Sequence, residues 1–282
     1  MRIGSYFGIP LKVNPFFILL LAVAFAWGRL WEAVVLFAIV LWHETCHVLA
    51  ASAYGLHVTD IELLPFGGMA RMEAFLQLNP QIEWVVAVVG PLSNFSLVLL
   101  GLGLRPYFEF HPNWFRFFIQ ANPGMALFNL LPVLPLDGGR VLRSILVRSR
   151  GFADATRSAA RLGQALSAAL VLGGVYGIFL KRYNLVSMLF LGVMLFASAR
   201  QEQNNASYVF MRYLSSRKQE LRLRRVFAVK NIAATVESSL GEVLRSFQPP
   251  CYHMIWVLDL EGRVTGVLGE LELISLLFEH GL

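Results

Sequence analysis

Phe37-Ala38-Ile39-Val40-Leu41-Trp42-His43-Glu44-Thr45-Cys46-His47-Val48-Leu49-Ala50 is an apolar run with three ionisable side chains at its centre. His43, Glu44 and His47 spell H-E-x-x-H. Histidines at i and i+4 share one face of a helix, and the glutamate beside them can hold a water at a metal ion. In a membrane helix each ionisable residue near the centre costs about 2.5–3.5 kcal/mol on insertion scales. A segment carries three of them through a bilayer when something there binds them, and a zinc ion is the simplest such partner. Cys46 falls off the His43/His47 face and reads as a packing residue.

The rest of the composition agrees with a membrane setting. Hydrophobic residues make up 56% of the 282 and charged residues 15%, with a mean hydropathy of +0.59. A soluble domain carries about 25% charge, so most of this chain belongs in lipid. Two cysteines, Cys46 and Cys251, indicate no disulfide framework. The net charge of +6 reads as membrane topology, because the basic residues gather at loop ends without an interleaved aromatic stripe. No direct nucleic-acid binding is expected. Phe16 to Ala26 offers A-x-A-like cleavage sites, but only Arg2 and Lys12 precede it as basic residues and Pro15 opens it. It is read as a retained first helix.

With about 20 apolar residues needed per span, six segments qualify: Pro15–Leu30, Glu32–Tyr54, Ile82–Leu104, Phe115–Leu134, Ala159–Leu180 and Leu185–Ala199. The expected fold class is a polytopic all-α membrane core with a short membrane-associated β-hairpin, followed by a small cytosolic α/β module. Arg2 and Lys12 precede the first span. Arg140, Arg143, Arg148, Arg150 and Arg157 fill the loop after the fourth, and Arg200, Arg212, Arg217, Lys218, Arg222, Arg224 and Arg225 follow the sixth. Both termini in the cytosol put these on the positive-inside face. The hairpin is expected over Ile61 to Glu73, broken by Pro65 and Gly67-Gly68. Its free edge is a candidate to pair with an extended substrate strand.

A hydrolytic site of this type needs a third protein ligand and an open position. A metzincin pattern would need Gly at position 50 and His at position 53, where Ala50 and Ala53 stand. Glu62 and Glu73 remain alternatives. Asp137 is the better candidate, at the end of Asn129-Leu130-Leu131-Pro132-Val133-Leu134-Pro135-Leu136-Asp137-Gly138-Gly139, where an apolar span is broken by two prolines and glycines allow close backbone approach.

Three motifs in this order, His43-Glu44-x-x-His47, Gly90-Pro91-Leu92-Ser93-Asn94 and Asn129-x-x-Pro132-x-Pro135-x-Asp137-Gly138, resemble the site-2 proteases, intramembrane zinc metalloproteases. The match runs across roughly residues 1–200. The resemblance implies one zinc per chain held by His43, His47 and Asp137, with Glu44 as general base on an activated water. It implies substrate-binding roles for Asn129 and Pro135, and places Gly90 and Asn94 in helix packing and polar contacts. Asn14-Pro15 stands where relatives often carry His-Pro, so position 14 receives no function.

Beyond a basic helical linker, 201–225, residues 226–282 read as a small α/β module. Val226–Val229 is expected as a strand and Ser238–Phe247 as a capped helix. Met254–Asp259 and Val264–Leu268 read as a hairpin and Glu270–Phe278 as an amphipathic helix. This module resembles a single cystathionine-β-synthase (CBS) domain, which implies adenine nucleotide such as ATP between paired copies. At about 60 residues it is marginal alone, so a homo-oligomer through this module is expected. Six spans followed by one such module resemble the sporulation branch of the family. That likeness implies a membrane-associated pro-sigma factor as substrate, membrane inhibitor proteins as partners, and the membrane surrounding the forespore as location. The rival readings are a CBS-regulated transporter and a non-catalytic scaffold with a structural metal. Glu44 separates them, since neither has use for a non-ligating carboxylate beside a histidine ligand.

Overall fold

The computed structural model describes all residues except 1, 7–8, 57, 65–66, 73–78, 109–110, 183–184, 224–227, 248–250 and 281–282. The chain forms two compact units, one built from 1–76, 81–132 and 136–141, the other from 77–80, 133–135 and 142–282.

The first unit opens with strands β1 (Arg2–Tyr6) and β2 (Ile9–Val13), an antiparallel pair where only a preceding tail was expected. Helix α1 (Pro15–Ala26) follows. Asn14 caps it, accepting from the Phe16 amide at 3.0 Å, and Pro15 occupies the first turn, where a missing N–H costs nothing. Asn14-Pro15 is thus a helix start. Helix α2 (Leu30–Ala53) carries the His-Glu motif, and Phe17 packs edge-on against its Phe37 with ring centroids 4.3 Å apart.

Strands β3 (Val58–Leu64) and β4 (Gly67–Met72) form the expected hairpin, with Leu64 opposite Gly67. Pro65, Phe66 and Glu73 lie outside the described residues. The hairpin belongs to a four-stranded sheet in the order β1-β2-β3-β4, because β2 pairs in parallel with β3 across the α1–α2 crossover. The Lys12 ammonium and the buried Asp60 carboxylate, 2.6 Å apart, pin that junction. Both hairpin strands pack on α2. Helices α3 (Pro80–Leu104) and α4 (Pro112–Asn129) complete the unit. The fourth apolar segment therefore stops being helical at Asn129, five residues before its expected end, as Pro132 and Pro135 interrupt the ladder of backbone hydrogen bonds.

Helix α5 (Asp137–Arg150) and the start of helix α6 (Phe152–Phe179) occupy the stretch expected as a basic loop. Arg143, counted among the loop cations, is buried beside Glu202 (3.6 Å) and over the Phe152 ring. Helix α7 (Val186–Leu223) joins the last expected span and the basic linker in one continuous 38-residue helix. It packs along α6 through glycines: a Cβ on Gly174 would sit 2.6 Å from the Leu189 backbone nitrogen, and one on Gly192 would sit 2.8 Å from the Ser167 carbonyl. Such small residues let membrane helices approach closely. Among the described residues three helices, α2, α3 and α6, are long and apolar enough to cross a membrane, and α1 is a shorter apolar helix.

The C-terminal module contains β5 (Val229–Thr235), α8 (Leu240–Arg245), β6 (Tyr252–Leu258), β7 (Val264–Gly269) and α9 (Glu270–His280). Its first described strand runs over Val229–Thr235, with Ile232 and Ala234 alternating onto the core; residues 226–227 of the strand expected over 226–229 lie outside the described residues. The capped start of α8 is a full capping box between Ser239 and Glu242. Phe247, Ile255, Leu273 and Ile274 are fully buried together with Val147 and Phe152 of α5 and α6. The chain's own helices therefore add apolar surface to the core of a module whose size makes it marginal alone.

Substituting Gly174 by Val should force α6 and α7 apart and lower stability by about 1–3 kcal/mol, the usual cost of overpacking. Gly173→Val is the control, since a Cβ there meets nothing within 4 Å. Thermal unfolding of both variants in detergent should show a clear drop in Tm for position 174 alone.

Candidate metal centre

Helix α2 has no Gly or Pro in its interior, so His43 and His47 emerge one turn apart on the same face. Both are buried. Their Nε2 atoms are 3.0 Å apart, and Oδ2 of Asp137 lies 3.1 Å from that of His43 and 3.2 Å from that of His47. Asp137 is brought there by the turn between α4 and α5 and is itself the first residue of α5. A side chain on Gly138 would collide with the Leu130 carbonyl, so only glycine lets this turn close tightly enough to aim the carboxylate.

The tautomer of His47 follows from its other nitrogen. Nδ1–H donates to the Val86 carbonyl of α3 at 2.7 Å, which leaves the Nε2 lone pair free. Carbonyl oxygens have two lone pairs, so Val86 can accept from the ring in addition to a helix amide. Hydrogen bonding of this kind orients metal-ligating imidazoles generally. Gly90, one turn further along α3, lies against both rings. A Cβ there would collide with the His47 imidazole and lie 2.8 Å from Cε1 of His43. Gly90 thus packs against the two imidazoles themselves, a more specific task than the general helix packing expected of it.

Two imidazoles and one carboxylate, buried and convergent, form a donor set suited to zinc. A tetrahedron with bonds of about 2.0–2.1 Å has edges of about 3.3 Å, close to the separations seen. Three ligands leave the fourth position open, the arrangement of a hydrolytic rather than a structural site. Among the described residues this is the group of three or more potential ligands that converges. Glu62 sits in β3 opposite Met69, and Glu73 lies outside the described residues.

Glu44 follows His43 on α2 and is half-buried. Cys46 is absent from the convergent group and is a free thiol. Asn129 ends α4 and donates its amide to the Met125 carbonyl at 3.1 Å. Pro135, half-buried, stands two residues before Asp137 after a cis peptide bond. Asn94, four residues beyond Gly90, is fully buried. The Val86 contact had no signal in the sequence, because a backbone carbonyl is common to every residue type.

The family model for peptidase family M50 matches residues 31–110 and 109–173, spanning both histidines and Asp137. The chain is similar to stage IV sporulation protein FB of Bacillus subtilis, with 28% identity over 272 residues, 96% of this chain and 92% of that protein. It is also similar to a zinc metalloprotease of Methanocaldococcus jannaschii, with 31% identity over 187 residues, 62% of this chain. It spans about half, 54%, of that relative's length. The solved site-2 protease from the same archaeon matches with a TM-score of 0.58 and 28% identity, covering 72% of this chain and 94% of that one.

Gly90→Val should push the His47 ring off the Val86 carbonyl and weaken zinc binding by about 10–100-fold, the usual cost of losing such a support. Gly103→Val on the same helix, where a Cβ meets nothing within 4 Å, should leave it unchanged. Metal titration of the two purified variants checks this.

Proposed function

The chain belongs to peptidase family M50, the site-2 proteases, and we propose that it is an intramembrane zinc endopeptidase that cleaves a membrane-associated pro-protein. The observation that carries this reading is the convergence of His43, His47 and Asp137 within 3.2 Å on an apolar helix, with Glu44 adjacent. Bound zinc supplies Lewis acidity, which lowers the pKa of a water toward about 7 and polarises the scissile carbonyl. Glu44 takes the proton of the attacking water on its carboxylate and returns it to the leaving amine, so the peptide bond breaks without release of a charged amide. Asn129 positions the substrate backbone or its developing oxyanion, and Pro135 shapes the approach beside Asp137.

Hydrolysis requires the substrate to be extended at the cleaved bond. Strand β4 ends its sheet, has no strand on its outer edge among the described residues, and packs on the helix that carries the histidines. In this reading the substrate adds there as a further strand, held by main-chain hydrogen bonds. Family members are integral membrane proteins, and three helices here have the length and apolarity to span. The proposed topology has six spans, both termini cytosolic, with α1, α4 and the start of α7 completing the set. Residues 1–200 form the protease region and 226–282 a cytosolic CBS-like module that takes ATP and joins two chains.

The sporulation name of a relative that aligns with 96% of this chain supports a pro-sigma factor as substrate. Membrane inhibitor proteins and a location around the forespore belong to the same reading.

Glu44→Gln should lower cleavage of a co-expressed pro-sigma factor by about 10²–10⁴-fold while about one zinc per chain is retained. Asp137→Asn should weaken zinc itself, by about 10–100-fold. Cleavage surviving in Glu44→Gln would remove Glu44 as the general base, whereas no cleavage by the intact protein would leave a transporter or scaffold with a structural metal. For the module, ATP should change the cleavage rate and the dimer fraction of the intact protein together. A response in neither would strip it of a regulatory task.

A further inference from the structure

The turn from α1 into α2, the end of α3 and the start of α4 lie at one end of the first unit. Trp31 of α2 stacks on Trp114 of α4 at 4.4 Å, and Arg105, just beyond α3, sits over the Phe115 ring at 5.4 Å. Trp27, Tyr107 and Phe108 are exposed at this end. Such residues gather at the level of lipid headgroups, where one part of the ring is apolar and another wet.

Two adjoining cavities open here and share Phe115. One, of about 320 Å³, has almost wholly apolar walls that include Trp31, Val35, Leu97, Leu104 and Phe118. The other, of about 790 Å³, is lined by Arg105, Arg116 and Gln120 among apolar neighbours. Among the described residues, no Asp or Glu lines either cavity and neither arginine has a carboxylate partner.

An apolar slot beside two guanidinium groups that have no carboxylate partner among the described residues, at an end rich in exposed aromatic rings, fits a molecule with an anionic head and an apolar tail. A peptide segment fits poorly, because its backbone amides would find no hydrogen-bond partners in the apolar slot. A soluble anion would leave the slot unused. Guanidinium groups match phosphate oxygens in geometry as well as charge. We propose that this end of the protein is a specific site for an anionic phospholipid, with an acyl chain between α2, α3 and α4 and its phosphate between Arg105 and Arg116. The site lies apart from the metal centre and does not depend on the protease reading.

The test is native mass spectrometry of the full-length protein released from nanodiscs of phosphatidylglycerol, phosphatidylcholine or an equal mixture. The intact protein should retain phosphatidylglycerol selectively from the mixture. The double variant Arg105→Gln/Arg116→Gln should retain about tenfold less of it, since two attractions to the phosphate are removed. Val35→Trp, which fills the slot and keeps both arginines, should also lose the bound lipid. Unchanged thermal unfolding in phosphatidylcholine establishes that the variants are folded. Should a variant fail that check, the intact protein's choice between the two lipids decides. Equal retention of both lipids by the intact protein, or retention unaffected by both variants, would mean an ordinary lipid annulus and overturn the proposal. Displacement of the lipid by inorganic phosphate at a concentration far below that of bulk buffer would overturn it too, by showing a soluble-anion site.

Discussion

Three electron-rich atoms, Nε2 of His43, Nε2 of His47 and Oδ2 of Asp137, meet within 3.2 Å in the buried interior of an apolar unit. With both imidazoles presenting lone pairs, as metal ligands do, these atoms would repel in a low-dielectric setting unless a cation or a shared proton lies between them. The surroundings are arranged around this constraint. An uninterrupted α2 sets the two imidazoles one turn apart. Gly90 lets α3 come against the rings, and the Val86 carbonyl orients one of them. Gly138 closes the turn that carries Asp137. Each contribution is a matter of backbone position, so the convergent group is built chiefly by where the helices run.

The same economy of small residues holds the second unit together. Gly174 and Gly192 bring α6 and α7 into backbone contact, and Gly177 leaves room for the Leu185 side chain just before α7. The module at the C-terminus is solved differently, by burying Phe247, Ile255 and Ile274 against Phe152 and Val147. Inside it His253 and Glu270 are both fully buried. Glu270 accepts from the His253 backbone amide at 2.9 Å and faces the ring nitrogen at 3.2 Å, while Phe247 stacks on the imidazole. A buried carboxylate is tolerable there because hydrogen bonds answer it.

Polar chemistry and apolar surroundings are therefore separated by structure at every level of the chain. The sheet edge at β4 offers main-chain hydrogen bonds on a strand that packs against the helix carrying His43 and His47. The aromatic end of the first unit offers charge beside an apolar slot. These are surfaces for different partners, an extended peptide and an anionic lipid in our reading, and the two recognition problems use different residues.

The sequence by itself determined the membrane class, the helical placement of His43, Glu44 and His47, the hairpin, and the elements of the terminal module. All of these are local: composition, a spacing of four residues, turn residues between alternating runs. The choice of Asp137 was legible as a carboxylate among helix breakers, but its distance from the histidines was not, since 90 residues separate Asp137 from His47 along the chain. Only tertiary structure decided that β1 and β2 extend the hairpin into a sheet, because parallel pairing joins strands far apart in sequence. It also decided that Arg143 leaves the cationic surface for Glu202, and that Gly90 stands against the two imidazole rings. A glycine in a sequence says that space is needed. What fills that space depends on which helix arrives beside it.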